Sequence, residues 1–238
     1  MRKRTYWRED WAIRVSGGHR YGSENFLRKE AAEKLFHLGH GRRLLDFGCG
    51  SAELLVYYAK CFDSVIGADF SPRMLAAARE RIALGGGGNV AFIEADDVSV
   101  WDAVTGDFDV ITAGQVVQFL DREQFDHFVG HAAERLAANG TIVLFDIIHP
   151  ILYRLFYLGI FARHRTVVHA LGAALLTIGK RTVRRLRGLP PDVMGNAFAP
   201  DHVRVVAAKY GFEAEIVWSM YYEYRYHAIL TRASDAQQ

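Results

Sequence analysis

The sequence predicts an α/β fold with a seven-stranded sheet, mostly parallel with one antiparallel strand near the C-terminus, and helices on both faces. Short apolar runs alternate with helical patterns from residue 24 to residue 146, as expected for parallel strands joined by crossover helices. A glycine-rich turn follows the first apolar run. The last two predicted strands are joined by a connection too short for a crossover, so they must be antiparallel.

The predicted elements follow one another in a regular order. A helix over residues 24–38 enters the domain, and five strands follow at 43–47, 64–69, 90–94, 108–113 and 141–146. The intervening helices are predicted at 52–59, 71–84 and 123–138, the last one ended by Asn139 and Gly140. A helix over 201–210 and two strands over 213–219 and 224–232 complete the domain.

Composition limits the class of protein. The chain has 238 residues, of which 50% are hydrophobic, and 29 Lys and Arg stand against 27 Asp and Glu. These values fit one globular domain and exclude disordered, collagen-like and coiled-coil proteins. Cys49 and Cys61 are too few for a disulfide framework or a zinc cluster. Since the chain also lacks the apolar core of a signal peptide and an apolar run of membrane-spanning length, we expect a cytoplasmic protein.

Acidic residues follow the first three predicted strands. The first strand runs into the segment Asp46-Phe47-Gly48-Cys49-Gly50, whose glycines allow a ligand to approach the backbone. Asp69 ends the second strand 19 residues after Gly50, where an acid can accept hydrogen bonds from both hydroxyls of a ribose. Asp96 and Asp97 follow the third strand, beside the expected position of an adenine. The pattern predicts a nucleoside site at this edge of the sheet.

The charge of this site disfavours a phosphate ligand. Asp46 precedes the glycines, and Glu53 stands where a dinucleotide-binding motif has its third glycine. Two carboxylates without a lysine would repel a pyrophosphate, so NAD is a minor alternative. A nucleoside that carries a sulfonium and an ammonium group, S-adenosylmethionine, suits the acids better.

These motifs resemble those of the class I S-adenosylmethionine-dependent methyltransferases, a family with a Rossmann-like fold. The resemblance rests on the turn 46–52, on Gly67-Ala68-Asp69-Phe70-Ser71, and on the segments around the fourth and fifth strands. It covers residues 43–146 firmly and 201–232 loosely. Ala52 departs from the pattern, because the family has its last glycine there. The resemblance implies methyl transfer without a metal, with S-adenosylhomocysteine as the product.

The resemblance also implies a set of cofactor contacts. The implied residues are Tyr21, Asp46, Gly48, Gly50, Asp69, Phe70, Met74, Asp96 and Asp97. The two glycines would line the methionine part, Asp46 would hold its amino group and Asp69 the ribose. Phe70 and Met74 would pack near the adenine, whose edge Asp96 and Asp97 would contact. Tyr21 would cover the cofactor, and a role in packing a lid is equally open for it.

The sequence indicates the catalytic residues less clearly than the cofactor-binding residues. Methyl transfer is an in-line displacement that mainly requires alignment and exclusion of water. The acceptor must still lose a proton, and His149, just beyond the fifth strand, is the best-placed base, with capping of the strand end as the alternative. Gln118 and Tyr153 are expected to bind the acceptor. His127 and His131 lie four residues apart on a helix but lack a third ligand, so we expect no metal.

Residues 1–238 are expected to form one domain with two additions. Residues 1–40 would form an N-terminal helical lid and residues 151–199 a helical insert that recognises the substrate, as the family commonly has there. The insert is apolar and has eight basic residues and no acidic residue between Ile151 and Pro191. Two interpretations are open: a lid over the site, or peripheral contact of residues 151–187 with an anionic membrane. Nucleic acid is disfavoured because the rest of the chain is acidic.

The function expected from the sequence is methyl transfer to a small-molecule, glycan or lipid-linked acceptor. Oxygen is slightly favoured over nitrogen as the methylated atom. A non-catalytic module that binds S-adenosylmethionine is the alternative, since no distinctive catalytic signature is present.

Overall fold

The chain is described by a computed structural model, which covers residues 23–157 and 195–233 and a few isolated positions between them. Seven helices are described: α1 Glu24–Leu38, α2 Leu55–Tyr58, α3 Pro72–Gly85, α4 Val100–Ala103, α5 Arg122–Glu134, α6 Pro150–Tyr157 and α7 Pro200–Lys209. The strands are β1 Gly41–Phe47, β2 Phe62–Asp69, β3 Val90–Glu94, β4 Phe108–Gly114, β5 Leu136–Ile148, β6 Phe212–Trp218 and β7 Arg225–Arg232. A short 3₁₀ turn, Val117–Phe119, follows β4.

The seven strands form one sheet in the order β3-β2-β1-β4-β5-β7-β6. The pairs from β3 to β5 are parallel, and β7 is antiparallel to both of its neighbours. The predicted fold class is confirmed. The chain order reverses between β1 and β4, and ligands of open α/β sheets bind at such a switch point, beyond the carboxyl ends of the strands.

Helices cover both faces of the sheet because each inner strand is apolar on both sides. Leu44 and Leu45 of β1 are fully buried in two different cores, as the alternation of side chains along a strand requires. One core contains residues of α4, α5 and α7, and the other contains residues of α1, α2 and α3. Residues 24–38 of the predicted N-terminal lid are therefore a helix packed on the sheet.

Two helices differ from the sequence predictions by more than one residue at one end or both. The helix predicted over 52–59 is shorter in the structure and begins only at Leu55, because Ala52 has a left-handed backbone with φ of 59°. The predicted end of the third helix at Ala138 is wrong: α5 ends at Glu134 and β5 already begins at Leu136. Asn139 and Gly140 lie inside β5, where the pairing with β4 shifts register.

The additions to the domain are described in part. Of the insert predicted over 151–199, the structure describes α6 and the segment from residue 195 onward, so the lid and membrane interpretations lie mostly outside the described residues. The N-terminal lid before residue 23 also lies outside them. No helix in the described part of the chain is long and apolar enough to cross a membrane.

Candidate active site

The glycine turn after β1 forms the floor of the site. The backbone N–H groups of Gly48 and Cys49 donate to the carbonyl of Ala68, at 2.7 and 3.0 Å, and so fix the turn against β2. A Cβ atom at Gly48 would collide with Val116, while one at Gly50 would meet no atom within 4 Å. One glycine thus packs against the segment after β4, and the other faces open space that a ligand can fill.

Asp69 stands beside this open space. Its Oδ2 accepts a hydrogen bond from Gly50 N and its Oδ1 one from Ser71 N, both at 2.9 Å. Burial raises the pKa of the Asp69 carboxyl above its ordinary value, and the hydrogen bonds from Ser71 and Gly50 oppose that rise. The end of β2 therefore presents a buried carboxylate at the glycine turn, as the sequence predicted.

Asp46 and Cys49 lie at the same turn, Asp46 just before it and Cys49 within it. Asp46 is buried near the end of β1, paired in register with Gly67 of β2 and Thr112 of β4. Burial raises the pKa of the Cys49 thiol well above its usual value, and the charges of Asp46 and Asp69 raise it further. Cys49 is therefore a neutral thiol and not a nucleophile.

The residues predicted to contact adenine have structural contacts of their own. Met74 of α3 is buried, and Phe70 is half-buried. Asp96 Oδ1 accepts hydrogen bonds from Val98 N, Ser99 N and Ser99 Oγ, which closes a turn after β3. Asp97 Oδ2 accepts one from Gln124 Nε2 at 2.9 Å, which ties this turn to α5. Contact of these residues with adenine stays a prediction, as does that of Tyr21, which lies outside the described residues.

The predicted acceptor-binding residues lie beyond β4 and β5. Gln118 is 8% exposed, and its Oε1 is buried with no hydrogen-bond partner among the described residues. Asn196 N donates to the backbone carbonyl of Gln118, at 2.6 Å, and brings the segment before α7 over the 3₁₀ turn. The ring of Tyr153 on α6 lies 5.8 Å from that of Tyr224, centroid to centroid.

His149 caps a helix. Its Nδ1 accepts hydrogen bonds from Ile151 N and Leu152 N at 3.3 and 3.2 Å, the pattern of an N-cap before the first turn of α6. Burial lowers the pKa of the His149 imidazole. Since the lone pair of Nδ1 faces the helix, the neutral ring carries its proton on Nε2 and has no second lone pair for a base. His149 thus caps the following helix and not the strand end that was considered as the alternative, and its role as a base stays a prediction.

No metal site is found in the part of the chain that the structure describes: no three His, Cys, Asp or Glu side chains there are placed to hold an ion. His131 of α5 instead stacks on Trp101 and has its Nδ1 3.3 Å from Glu134 Oε2.

The geometry agrees with the comparisons with known proteins. A family model described as a methyltransferase domain matches residues 44–140, which run from β1 into β5. This segment of the chain is therefore similar to a methyltransferase domain. This confirms the family predicted from the sequence, whose cofactor is S-adenosylmethionine. The comparison with curated proteins found no match.

Solved structures share the fold of this methyltransferase domain at low sequence identity. Magnesium protoporphyrin IX methyltransferase from Synechocystis PCC 6803, solved with bound S-adenosylhomocysteine, has a TM-score of 0.62 and 16% identity, over 97% of this chain and 100% of that one. The amino pentose methyltransferase CalS10 from Micromonospora echinaspora has a TM-score of 0.59 and 17% identity, over 96% of this chain and 97% of that one. The pyocyanin biosynthetic protein PhzM has a TM-score of 0.57 and 18% identity, over 88% of this chain and 55% of that one.

A buried ionic cluster at the edge of the site was not predicted from the sequence. Lys34 Nζ of α1 lies 2.6 Å from both Glu30 Oε1 and Asp146 Oδ2, and none of the three side chains is more than 1% exposed. Burial alone would raise the pKa of the Asp146 carboxyl, but nearby positive charges, Lys34 first, hold it well below its usual range. One signal was available: Lys34 lies on the helical stripe of Ala31 and Leu38, which are buried.

The cluster continues toward β7. Arg225 Nη1 donates to the carbonyl oxygen of Asp146 at 2.8 Å, and Asp146 N donates to His227 Nδ1 at 3.1 Å. His227 Nε2 lies 3.2 Å from Glu33 Oε1, which also accepts from Met220 N. Residues of α1, β5 and β7 are thereby joined behind the open edge of the methyltransferase domain.

The substitution Ala52→Gly tests the departure from the family's turn. Ala52 is fully buried and left-handed, a conformation that costs an alanine about 1–2 kcal/mol. Ala68→Gly removes an equally buried methyl group from β2 and serves as the reference. Because glycine relieves the strain at position 52, we expect the loss of stability in Ala52→Gly to be smaller than that in Ala68→Gly by about 1 kcal/mol. Urea denaturation measures both. Equal losses would show that the backbone at Ala52 is unstrained.

The substitution His149→Asn separates a base from a helix cap. Asparagine caps helices well but is no base. We expect His149→Asn to keep methyl transfer within a few-fold of the wild type and His149→Ala to lose about 1 kcal/mol of stability. Turnover of labelled cofactor and chemical denaturation measure the two effects. A roughly 100-fold loss of turnover in a stably folded His149→Asn protein would establish the base instead.

Proposed function

We propose that this protein binds S-adenosylmethionine and transfers its methyl group to a hydroxyl or amine of a small-molecule acceptor. The observation that carries the proposal is the open space in front of Gly50, bordered by the carboxylate of Asp69. The methyltransferase domain over residues 44–140 supports it. Three of the structural neighbours also support it, since two are named as methyltransferases of a magnesium porphyrin and an amino pentose and one as a protein of pyocyanin biosynthesis.

The residues present fit this cofactor. The Asp69 carboxylate has about four lone-pair sites, and backbone N–H groups of Gly50, Ser71 and Phe70 use three of them, so the carboxylate can still accept a hydrogen bond from the ribose. Asp46 adds negative charge below the turn, where the sulfonium and ammonium groups require it. A bound pyrophosphate would meet the same two carboxylates and be repelled, which keeps NAD a minor alternative.

The acceptor is proposed to bind beside Gln118. An unpaired buried carbonyl oxygen costs about 1–3 kcal/mol, and a hydroxyl or amine of the acceptor would supply the missing donor. The 3₁₀ turn that carries Gln118 follows β4. In the sheet, β4 lies next to β1, the strand that leads into the glycine turn. The acceptor would therefore approach from the β4 and β5 side of the cofactor.

When bound, the cofactor supplies an electrophilic methyl group on a positively charged sulfur. The protein contributes orientation and exclusion of water: Asp69 and Asp46 fix the cofactor, and Gln118 orients the acceptor. Because Nδ1 of His149 accepts hydrogen bonds from a helix, we expect His149 not to act as a base, and we expect the acceptor's proton to pass to solvent.

Two measurements test the proposal. Isothermal titration calorimetry should show binding of S-adenosylhomocysteine and none of NAD or ATP, whereas the reverse result would overturn the assignment. Incubation with methyl-labelled S-adenosylmethionine and a small-molecule extract should transfer the label to an extract component, and Gln118→Leu should reduce that transfer without changing the affinity for S-adenosylhomocysteine. Binding without any transfer would favour the non-catalytic alternative.

A further inference from the structure

The open edge of the site carries backbone strain. Among the described residues, only three that are not glycine have positive φ: Ala52, Gln115 and Asp146, each at 59°. Ala52 lies in the glycine turn, Gln115 directly after β4, and Asp146 near the end of β5. Strained conformations of this kind cost about 1–3 kcal/mol each and collect at functional sites. Within the ranges that the structure describes, this strain lies at the edge where the cofactor is proposed to bind.

Gln115, directly after β4, and Asp146 of β5 are hydrogen-bonded to each other. Gln115 Nε2 donates to Asp146 Oδ2 at 3.3 Å, and the same oxygen accepts from Lys34 Nζ at 2.6 Å. Lys34 is in turn paired with Glu30, so Asp146 is held by a side chain that is itself fixed in the core. A chain of contacts thus runs from α1 through Asp146 to the half-buried Gln115.

These contacts from Lys34 through Asp146 determine the orientation of the Gln115 amide. A carboxylate accepts hydrogen bonds and repels a carbonyl oxygen, so the NH₂ group of Gln115 must face Asp146 and its Oε1 must point away. Gly114, the preceding residue, borders open space, since a Cβ atom there would meet nothing within 4 Å. Val116, the following residue, packs on Gly48. Gln115 therefore adjoins the part of the glycine turn that the methionine end of the cofactor would cover.

Resting on the proposed function, we propose that Lys34 and Asp146 are positioning residues for Gln115, whose Oε1 accepts a hydrogen bond from the ammonium group of the bound cofactor. The ammonium carries three donors and no acceptor, and a neutral amide oxygen on that side matches it. The left-handed backbone of Gln115 and Asp146 is stabilised by the contact chain that this role requires.

The experiment compares two ligands that differ in the methionine part. S-Adenosylhomocysteine carries the ammonium group, and 5′-methylthioadenosine lacks the whole amino-acid portion. Calorimetric affinities are measured for the wild type, Gln115→Met, Asp146→Ala and Asp146→Asn. Asparagine tolerates the left-handed conformation, and its one carbonyl oxygen can replace the single oxygen that both Lys34 and Gln115 use.

Gln115→Met and Asp146→Ala are expected to weaken binding of S-adenosylhomocysteine about tenfold, as the loss of a hydrogen bond to a charged group implies. Binding of 5′-methylthioadenosine should change less than twofold, and Asp146→Asn should behave as the wild type. An equal loss for both ligands, or no loss for either, would overturn the proposal. Failure of the wild type to bind S-adenosylhomocysteine would instead reject the proposed function itself.

Discussion

Asp69→Asn is expected to weaken binding of S-adenosylhomocysteine about 100-fold. The substitution removes the charge that both ribose hydroxyls would meet, and hydrogen bonds to charged groups contribute about 1.5–3 kcal/mol each. It also leaves one of the two N–H groups, Gly50 N or Ser71 N, facing an NH₂ group. Calorimetry measures the loss. Asp63→Asn, an exposed change on the same strand, is the matched control and should leave the affinity unchanged.

The same site predicts a pH dependence of binding. Burial raises the pKa of the Asp69 carboxyl, so protonation begins at a higher pH than for an exposed aspartate. Because the ligand requires the ionised form, affinity should fall as the pH falls through that raised pKa, and Asp69→Asn should abolish this dependence. Full affinity in Asp69→Asn, or equal pH profiles of the two proteins, would show that the carboxylate does not bind the ribose.

Lys34→Met is expected to lower the free energy of unfolding by about 3–5 kcal/mol. Removal of one partner leaves Asp146 and Glu30 buried without their common cation, and an uncompensated buried charge is costly. Lys29→Met, an exposed change on the same helix, should cost less than about 0.5 kcal/mol. Urea denaturation at neutral pH measures both proteins. A loss below about 1 kcal/mol in Lys34→Met would mean that the cluster contributes little.

The pH dependence of this loss has a definite sign. The pKa of Asp146 is lowered in the folded protein, so its contribution to stability is present above the unfolded value of about 4 and is lost as the pH falls below it. The difference between wild type and Lys34→Met should therefore shrink on acidification below about pH 4. If Lys34→Met does not fold at neutral pH, Asp146→Asn, which keeps the pair of Lys34 and Glu30, supplies the measurement with an expected loss of about 1–2 kcal/mol.

The elements that depend on local patterns could be predicted from the sequence. The strand Val90–Glu94 was predicted with its exact bounds, because apolar alternation and a preceding glycine run define it locally. The end of α5 was predicted four residues too late, since Asn139 and Gly140 look like a helix stop but lie in a register shift of β5. Whether such a pair ends a helix or interrupts a strand depends on the neighbouring strand, which the local pattern does not contain.

By itself the sequence determined the fold class, the family and the position of Asp46, Gly50 and Asp69 at one edge of the sheet. These follow from hydrophobic periodicity and from the rule that parallel strands end at the same edge, both of which act over short stretches of chain. Only the tertiary structure paired Lys34 with Asp146, 112 residues apart, and turned the Nδ1 lone pair of His149 toward a helix. Such contacts depend on which strands become neighbours and how a buried charge is compensated, and no local pattern records either.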